Sequence, residues 1–306
     1  MKTAIVTGGG GFIGSHLVEA LLERGFRTVV IDDLSTGSAA NLPSEAVLRE
    51  ADVAEPDVSR IFAAERPELV FHLAAQIDLR KSLLDPAADA RVNVIGSLRV
   101  IAGACDSGAK KFIFSSSGGA AYHDPSVVPT PETYPAGPVS PYGAAKMAVE
   151  LYLNGARHAR GLRSVALRYA NVYGPRQGLK GEAGVIGLFT AKALRGEPAT
   201  VFGDGEQVRD FVYVDDVVRA NLSAAFSEQE GIFNIGTGVG TSVNRIAELI
   251  RRQAGGPASL YGPPAVGEER RSVLDASAAA RVLGWKYAVS VEEGVKRTVD
   301  WFRARG

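Results

Sequence analysis

The chain has 306 residues, 46% of them hydrophobic, and its 34 lysines and arginines balance 34 aspartates and glutamates. This balance gives no indication of a nucleic-acid or membrane-surface partner. The single cysteine, Cys105, excludes an intramolecular disulfide, and four scattered histidines show no metal-ligand spacing. With no signal peptide and no apolar run of membrane length, we expect a globular protein of the cytoplasm without a resident metal.

The first residues predict a strand, a glycine turn and a helix. Residues 3–6 are β-branched or apolar, residues 7–14 read TGGGGFIG, and apolar residues then recur at helical spacing. Glycines let the backbone approach a pyrophosphate, and a helix N-terminus offers N–H groups and a positive dipole end. Two registers match, GxGxxG from residue 9 and TGxxGxxG from residue 7, and the glycines alone do not choose between them.

The second predicted strand, residues 28–31, ends at Asp32. In dinucleotide-binding folds an acidic residue about 20 residues beyond the glycines holds the ribose hydroxyls of NAD. A carboxylate at this place repels the 2′-phosphate of NADP. The sequence therefore predicts NAD as the cofactor.

Strand and helix patterns continue to alternate, which predicts an α/β fold with a doubly wound parallel sheet of the Rossmann type. The further predicted elements of this part are strands at 47–50, 69–75, 112–117 and 164–169, and helices at 86–107 and 142–160. The continuous apolar character of residues 69–75 is typical of a strand buried on both faces.

Beyond about residue 174 the alternation breaks, and Pro, Gly and polar residues separate shorter elements. The predicted elements there are strands at 200–203 and 208–213 and helices at 185–195, 242–253, 276–283 and 291–302. We expect an NAD-binding domain at 1–173, to which segments of about 205–240 return, notably residues 232–236. Residues 174–306 then mainly form a smaller, interleaved α/β substrate lobe.

A second motif, SPYGAAK at residues 140–146, places Tyr142 and Lys146 four residues apart on one helix, so that both face the same way. A tyrosine with an ordinary pKa of about 10 is a poor base at neutral pH. A lysine one turn away supplies positive charge that lowers this pKa. The pair follows a dinucleotide-type opening and a strand that ends in three serines, and this combination predicts acid–base chemistry at a cofactor.

Together, TGxxGxxG, the Ser117 region and Tyr142-x-x-x-Lys146 resemble the extended branch of the short-chain dehydrogenase/reductase superfamily. Within it the chain is similar, over nearly its whole length, to the NAD-dependent UDP-glucose 4-epimerase-like sugar nucleotide epimerases. The resemblance favours the glycine register from residue 7. It implies a UDP-sugar substrate and a homodimer formed through helices 85–107 and 142–160.

The resemblance implies that Ser117, Tyr142 and Lys146 are catalytic. Tyr142 would take the proton of the C4 hydroxyl while hydride passes from C4 to NAD, and Ser117 would bond the developing keto oxygen. Lys146 would hold the nicotinamide ribose and favour the Tyr142 phenolate. Return of the hydride to the other face of the turned keto sugar completes the epimerisation.

The resemblance also implies two sets of contacts. The NAD contacts are Gly8, Gly11, Phe12, Ile13, Gly14, Asp32, Asp33, Leu34, Ser35, Thr36, Gly37, Asp52, Val53, Leu73, Ala74, Ala75, Asn93, Ser115, Tyr142, Lys146 and Tyr169. The substrate contacts are Ser117, Tyr142, Asn171, Thr200, Phe202, Arg209, Arg270 and Ser272.

Two departures from the family pattern concern named residues of the site. The stretch from Ser117 to Tyr122 is one residue longer than in many epimerases; a bacterial subgroup has the same Gly-Gly insertion, which favours Ser117 and leaves Ser116 as an alternative. Ala265 stands where a phosphate-binding arginine is usual, so either Arg270 or Arg271 compensates or the affinity is lower.

A third departure concerns the sugar. Ser272 is a small residue at the place that limits room beside the sugar C2 substituent. UDP-GlcNAc and UDP-GalNAc would then be accepted besides UDP-glucose and UDP-galactose.

Three other functions remain as alternatives to 4-epimerisation. A UDP-glucuronate 4-epimerase needs a cation near C6, for which Arg176 and Lys180 are candidates. Another NAD-dependent sugar nucleotide oxidoreductase or a dehydratase shares the fold, but dehydratases and decarboxylases carry acidic residues where Gly118 and Gly119 stand. A non-catalytic NAD-binding regulator usually lacks the tyrosine or the lysine that this chain retains.

Overall fold

The computed structural model describes residues 1–179, 184–264 and 269–305. Its strands, in chain order, are β1 (Thr3–Thr7), β2 (Arg27–Asp32), β3 (Val47–Glu50), β4 (Leu69–His72), β5 (Lys111–Ser117), β6 (Ser164–Tyr169), β7 (Asn171–Tyr173), β8 (Thr200–Phe202), β9 (Val208–Tyr213), β10 (Gly231–Ile235), β11 (Gly240–Ser242), β12 (Leu260–Gly262) and β13 (Arg271–Ser272).

The α-helices of the same residues are α1 (Phe12–Glu23), α2 (Val58–Glu65), α3 (Leu79–Leu84), α4 (Pro86–Ala90), α5 (Ser97–Ser107), α6 (Gly118–Ala121), α7 (Pro141–Arg160), α8 (Val185–Leu194), α9 (Val214–Phe226), α10 (Val243–Ala254), α11 (Ser277–Val282) and α12 (Val291–Arg303). A 3₁₀ turn lies at Ala39–Asn41 and a π-helical segment at Arg91–Gly96. None of the helices in the described ranges is long and apolar enough to cross a bilayer.

The central sheet has seven parallel strands in the order β10-β6-β5-β4-β1-β2-β3. The strand order reverses between β1 and β4, which makes this the switch point where such sheets bind ligands at their carboxyl ends. Thr7 ends β1 and His72 ends β4, and the two residues are register partners. The predicted doubly wound parallel sheet is confirmed.

Helices cover both faces of this sheet. On one face α1 and α9 bury apolar residues such as Leu17 and Val217, and on the other α2, α5 and α7 bury residues such as Phe62 and Val149. Strands covered on both sides are apolar on both sides, and Ile5 of β1 is fully buried, as is its neighbour Val6. The sheet is therefore a rigid support for residues at its carboxyl edge.

Most of the elements that follow β6 in the chain form a smaller unit. β9 pairs with β7, β11 and β13, while β8 pairs with β12. Helices α8, α10 and α12 pack around these strands over a separate core that contains Phe189, Phe211 and Ile246. α9 and β10, which come after β9, belong instead with the central sheet. The predicted return of residues 232–236 to that sheet is thus observed, while residues 208–213 lie in the smaller unit.

Two predicted elements differ from the structure. The strand predicted at 69–75 ends at His72, because its partner β1 ends at Thr7. The Leu73 N–H makes the last ladder bond, to the Thr7 carbonyl at 3.1 Å, and the Ala74 N–H bonds the Thr7 hydroxyl at 3.2 Å instead. The helix predicted at 86–107 is divided by the π-helical segment, which turns Asn93 inward. Segments of this kind are frequent at functional sites.

Candidate active site

The turn between β1 and α1 lies directly on the chain that leaves β4. Gly8 has a φ of +71°, and a Cβ at this position would lie 2.6 Å from the backbone nitrogen of Ala74. Only glycine allows both this positive φ and this close approach, which supports the TGxxGxxG register that begins at residue 7. Gly11 precedes α1 and provides no capping side chain, so the N–H groups of the first turn stay available to an anionic ligand.

Asp32 lies beside this turn at the end of β2. Its two carboxylate oxygens accept hydrogen bonds from the backbone N–H groups of Gly10 and Leu34, each at 2.9 Å. Burial raises the pKa of Asp32, and these two bonds oppose that change. Because a carboxylate oxygen has two lone pairs, each oxygen can still accept a ribose hydroxyl. The turn, the helix end and this carboxylate are the parts that NAD requires.

Further predicted NAD contacts lie around the same edge of the sheet. The loop at residues 33–37 is organised by Asp33, whose Oδ1 accepts bonds from the N–H and the hydroxyl of Ser35 at 3.0 and 2.6 Å. Asp52 follows β3 and accepts a bond from Ala54 at 2.8 Å, and Val53 is buried. Their contact with NAD stays a prediction.

A directed chain of hydrogen bonds runs under the turn. Ser97 donates to the Asn93 carbonyl at 2.6 Å, so its oxygen accepts from His72 Nε2 at 2.8 Å. His72 Nδ1 is then the acceptor, and the Thr7 hydroxyl donates to it at 2.7 Å. Burial, with a smaller effect of Lys146, lowers the pKa of His72 to about 3. His72 is therefore a neutral connector between β1, β4 and α5.

Lys146 is 4% exposed, and its Nζ donates to the Ser115 carbonyl at 2.9 Å. The same Nζ lies 5.7 Å from the centroid of the Tyr142 ring, so the predicted pairing of these residues on one helix face is observed. Burial lowers the pKa of Lys146 to about 8, against the opposite effects of Asp89 and Glu150. A cation held this close favours the ionised form of the Tyr142 phenol.

The start of α7, which carries Tyr142, packs against α6, the short helix that follows Ser117. Ser117 precedes α6, and its Oγ accepts the N–H of Ala120 at 3.2 Å. A Cβ at Gly143 would lie 2.6 Å from the Ala120 carbonyl oxygen, so glycine is needed for α7 to begin this close to α6. The Ser140 hydroxyl caps α7 by accepting the Gly143 N–H at 3.1 Å.

Ser116 lies on the other face of β5. Its hydroxyl donates to Glu150, which is also bound by two nitrogens of Arg168 at 2.9 and 2.6 Å. Arg168 also donates to the hydroxyl of Tyr122. Ser116 is thus part of a buried ion-pair network, while the Ser117 proton has no acceptor within the described ranges. Of the two serines, the geometry favours Ser117 for a ligand.

Tyr169 ends β6 as the register partner of Ser117. It is buried, and its hydroxyl exchanges hydrogen bonds with the Asn221 amide of α9 at 2.8 and 3.0 Å. Burial raises the pKa of this hydroxyl well above its usual range. Its place beside the nicotinamide stays a prediction, and its hydroxyl is hydrogen-bonded to α9.

The predicted substrate residues lie on the smaller unit and at its junction with the central sheet. Ser272 of β13 pairs with Arg209 of β9, and the Asn171 amide donates to the Asp210 carbonyl at 3.3 Å. The buried Asp210 carboxylate accepts bonds from the backbone at Thr237, Gly238 and Leu274 and so holds β9 and β13 in place. Thr200 and Phe202 lie farther off on β8, where Phe202 is exposed.

Two predicted phosphate or carboxylate ligands are engaged elsewhere. Arg270 donates two hydrogen bonds to Asp204 at 2.8 and 2.9 Å, and Arg176 forms an ion pair with Glu19 of α1. Ala265 and Lys180 lie outside the described residues.

Sequence reasoning missed Gln76 and Asp89, which surround the Asn93 side chain. Gln76 donates its N–H to Asn93 Oδ1 at 2.9 Å, and Asn93 Nδ2 donates to the Gln76 carbonyl at 2.8 Å and to Asp89 Oδ1 at 2.9 Å. The available signal was the spacing of Asp89 and Asn93, four residues apart on one helical face.

The family model described as "NAD dependent epimerase/dehydratase family" matches residues 4–236. The chain belongs to this family. It is 44% identical over 310 residues to a UDP-glucose 4-epimerase of Mycolicibacterium smegmatis, covering 99% of each chain. The predicted family and its NAD dependence are confirmed.

Two solved structures of this family are similar along the whole chain. A Thermotoga maritima UDP-glucose 4-epimerase with UDP-glucose superimposes with a TM-score of 0.97 at 49% identity, covering 99% of each chain. A Thermus thermophilus UDP-glucose 4-epimerase in complex with NAD has a TM-score of 0.95 at 41% identity, covering 99% of this chain and 100% of that one.

Proposed function

We propose that this protein is an NAD-dependent 4-epimerase of UDP-hexoses, which interconverts UDP-glucose and UDP-galactose and also accepts UDP-GlcNAc and UDP-GalNAc. The observation that carries the proposal is the placement of Tyr142 and the buried Lys146 next to Ser115, at the carboxyl edge of a sheet whose first turn is built for a dinucleotide. The Thermotoga maritima enzyme was crystallised with UDP-glucose and the Thermus thermophilus enzyme with NAD, which supports this pair of ligands here.

The first turn and Asp32 would hold the pyrophosphate and the adenosine ribose of NAD, and Lys146 would hold the nicotinamide ribose. When bound, NAD supplies a hydride acceptor for C4 of the sugar and gives the hydride back, so it is not consumed. The absence of net consumption makes tight retention useful, and the close packing of Gly8 on Ala74 keeps the pyrophosphate site rigid.

Three side chains would act on the sugar. Tyr142 as phenolate takes the proton of the C4 hydroxyl and returns it after the keto sugar has turned over. Lys146 supplies the positive charge that favours the phenolate. Ser117 donates its uncommitted proton to the developing keto oxygen, since its lone pair already accepts the Ala120 N–H.

The nucleotide and the sugar substituents would be held by the smaller unit. We propose that Arg209 binds the pyrophosphate, for which its guanidinium is suited. Ser272 pairs with Arg209 and is small, which supports room for an N-acetyl group at C2. Because Arg176 pairs with Glu19, the described residues give no support for a uronate substrate. Residues 1–173, with later segments of about 205–240 that return to them, would form the NAD-binding domain, which also carries Ser117 and Tyr142, and residues 174–306 would mainly form the substrate lobe.

A homodimer is also proposed. Large apolar side chains are exposed on α3, α7 and the π-helical segment, and these helices pack against one another. The exposed residues are Leu83, Leu84, Ile95, Leu151 and Tyr152. A second copy of the chain would cover them. The cytoplasmic location expected from the sequence stays a prediction.

The test is to incubate the protein separately with UDP-glucose, UDP-GlcNAc and UDP-glucuronate and to follow the C4 configuration by NMR. The first two are expected to equilibrate with their C4 epimers, and UDP-glucuronate is not. Tyr142→Phe should abolish turnover, whereas Tyr287→Phe, a matched change at the surface, should not. Turnover that survives in Tyr142→Phe, or the absence of turnover with every substrate, contradicts the proposal.

A further inference from the structure

Asp89 is a buried carboxylate that the proposed reaction does not use. It is 2% exposed and lies on α4, close to where the π-helical segment begins. Its Oδ1 accepts hydrogen bonds from the amide nitrogens of Gln76 and Asn93, each at 2.9 Å, and its Oδ2 is buried with no hydrogen-bond partner. A buried carboxylate charge without a nearby cation is costly, so an ionised Asp89 requires a compensating positive group.

Helix α4 packs against α7, which carries Lys146. The Lys146 ammonium is also buried, and its Nζ has one hydrogen-bond acceptor in the part of the chain described, the Ser115 carbonyl. Burial raises the pKa of Asp89 and lowers the pKa of Lys146, and each group opposes the change in the other. Within the described residues no ion pair joins them directly, so the two buried charges act on each other across the contact of α4 with α7.

The remaining charged groups near Lys146 do not replace Asp89. Glu150 lies one turn farther along α7, but Arg168 binds both of its oxygens. His72 on β4 is neutral, as its hydrogen bonds and burial require. The cavity that Asp89 lines also contains Lys81 and Asp85, but both are exposed, so solvent compensates their charges.

We infer that Asp89 is a positioning residue of the active site, the buried counter-carboxylate that keeps Lys146 protonated beside Tyr142. This inference rests on the proposed function of the pair. The amides of Gln76 and Asn93 occupy Oδ1 and so orient the carboxylate, while an Oδ2 proton would have no acceptor. The charge on α4 thus maintains the charge on Lys146, which favours the Tyr142 phenolate.

The first test compares the pH profile of kcat for the holoenzyme and for Asp89→Asn. Without the carboxylate, Lys146 loses its proton at lower pH, so the high-pH limb should move down by about one unit. Less Lys146 charge also makes Tyr142 harder to ionise, so the low-pH limb should move up. kcat at neutral pH should fall about tenfold, with a smaller change in KM. Asp85→Asn, an exposed change on the same helix, should leave both limbs in place.

A merely structural role would lower kcat at all pH values without moving either limb, and that result would overturn the inference. A second measurement does not depend on turnover. The ultraviolet titration of tyrosinate, with the Tyr142→Phe form of each protein subtracted, should show that Tyr142 ionises at higher pH in Asp89→Asn. If wild type has no turnover but this shift is seen, the substrate proposal fails and the inference stands; an unchanged midpoint contradicts the inference.

If Asp89→Asn does not fold, the double variant Asp89→Asn/Lys146→Met tests whether the two residues are coupled. Removing both charges leaves no uncompensated ion, so the double variant should fold and resist denaturant better than Asp89→Asn. A double variant that is no better than the single one would show that the two residues are not coupled, and would overturn the inference.

Discussion

The Ser116 hydroxyl donates a 2.6 Å hydrogen bond to Glu150, on the opposite face of β5 from its neighbour Ser117. Successive residues of a strand face opposite sides. One serine therefore completes the buried network of Glu150 and Arg168, while the other begins α6 beside the start of α7. This relationship separates a structural from a reactive hydroxyl within one strand.

Ser117→Ala should lower kcat by about 100-fold, because it removes the donor to the developing keto oxygen. Stability should change little, since only the cap of the short helix α6 is lost. Ser116→Ala should keep most of the turnover but lower the free energy of unfolding by about 1–2 kcal/mol, because the Glu150 carboxylate loses a buried donor. NMR turnover assays and denaturant unfolding of both variants check this. The reverse pattern would assign the reaction to Ser116.

Asp32→Asn should weaken binding of NAD more than binding of NADP. The carboxylate would accept the ribose hydroxyls of NAD and repel a 2′-phosphate, so loss of its charge should move the ratio of the two Kd values about tenfold toward NADP. Titration of both cofactors by fluorescence gives the ratio. Because one backbone N–H at Gly10 or Leu34 loses its acceptor, the variant is also less stable, but the ratio is independent of that effect. An unchanged ratio would contradict the assignment of Asp32.

His72 should make the protein acid-sensitive. The folded protein holds its pKa at about 3, whereas a free histidine has its pKa at about 6.5. The unfolded chain therefore binds a proton that the folded chain does not, and stability falls as the pH drops from 6.5 toward 3. Between pH 6.5 and 4 this group should cost about 3 kcal/mol of unfolding free energy.

His72→Gln keeps one donor and one acceptor but does not titrate, so its unfolding free energy should fall less over the same pH range. His158→Gln replaces an exposed histidine and should follow wild type. Denaturant unfolding at several pH values measures both. If His72→Gln and wild type lose the same unfolding free energy as the pH falls, the assignment of His72 as a neutral, hydrogen-bonded side chain is wrong.

Local spacing allowed the central part of the site to be predicted. Tyr142 and Lys146 are four residues apart on a helix whose predicted ends, 142 and 160, agree with α7. In the structure Lys146 Nζ lies 5.7 Å from the centroid of the Tyr142 ring. The apolar strands predicted the parallel sheet for the same reason, because burial on both faces requires a continuous apolar run. Asp32 could be predicted because it ends β2, about 20 residues beyond the glycine turn.

Contacts between distant parts of the chain could not be predicted in this way. Arg176 and Glu19 are 157 residues apart, and no local pattern pairs them. The predicted elements included no helix at residues 214–226, where α9 packs against the central sheet. Because side chains alternate along a strand, Ser116 and Ser117 must face opposite sides of β5. Only the contact with Glu150, which is distant in sequence, shows that Ser116 is the one buried in the network.

The exposed apolar side chains of α3 and α7 lead to the last prediction. Leu151 is 75% exposed and Leu84 is 85% exposed, although both lie on helices that pack together. Leu151→Glu should therefore shift the protein from dimer to monomer, because a carboxylate in the centre of an apolar contact loses its hydration. Sedimentation velocity measures the change, and Glu197→Gln, a surface change on the smaller unit, is the control. A wild type that is monomeric at the concentrations assayed would contradict the proposed dimer.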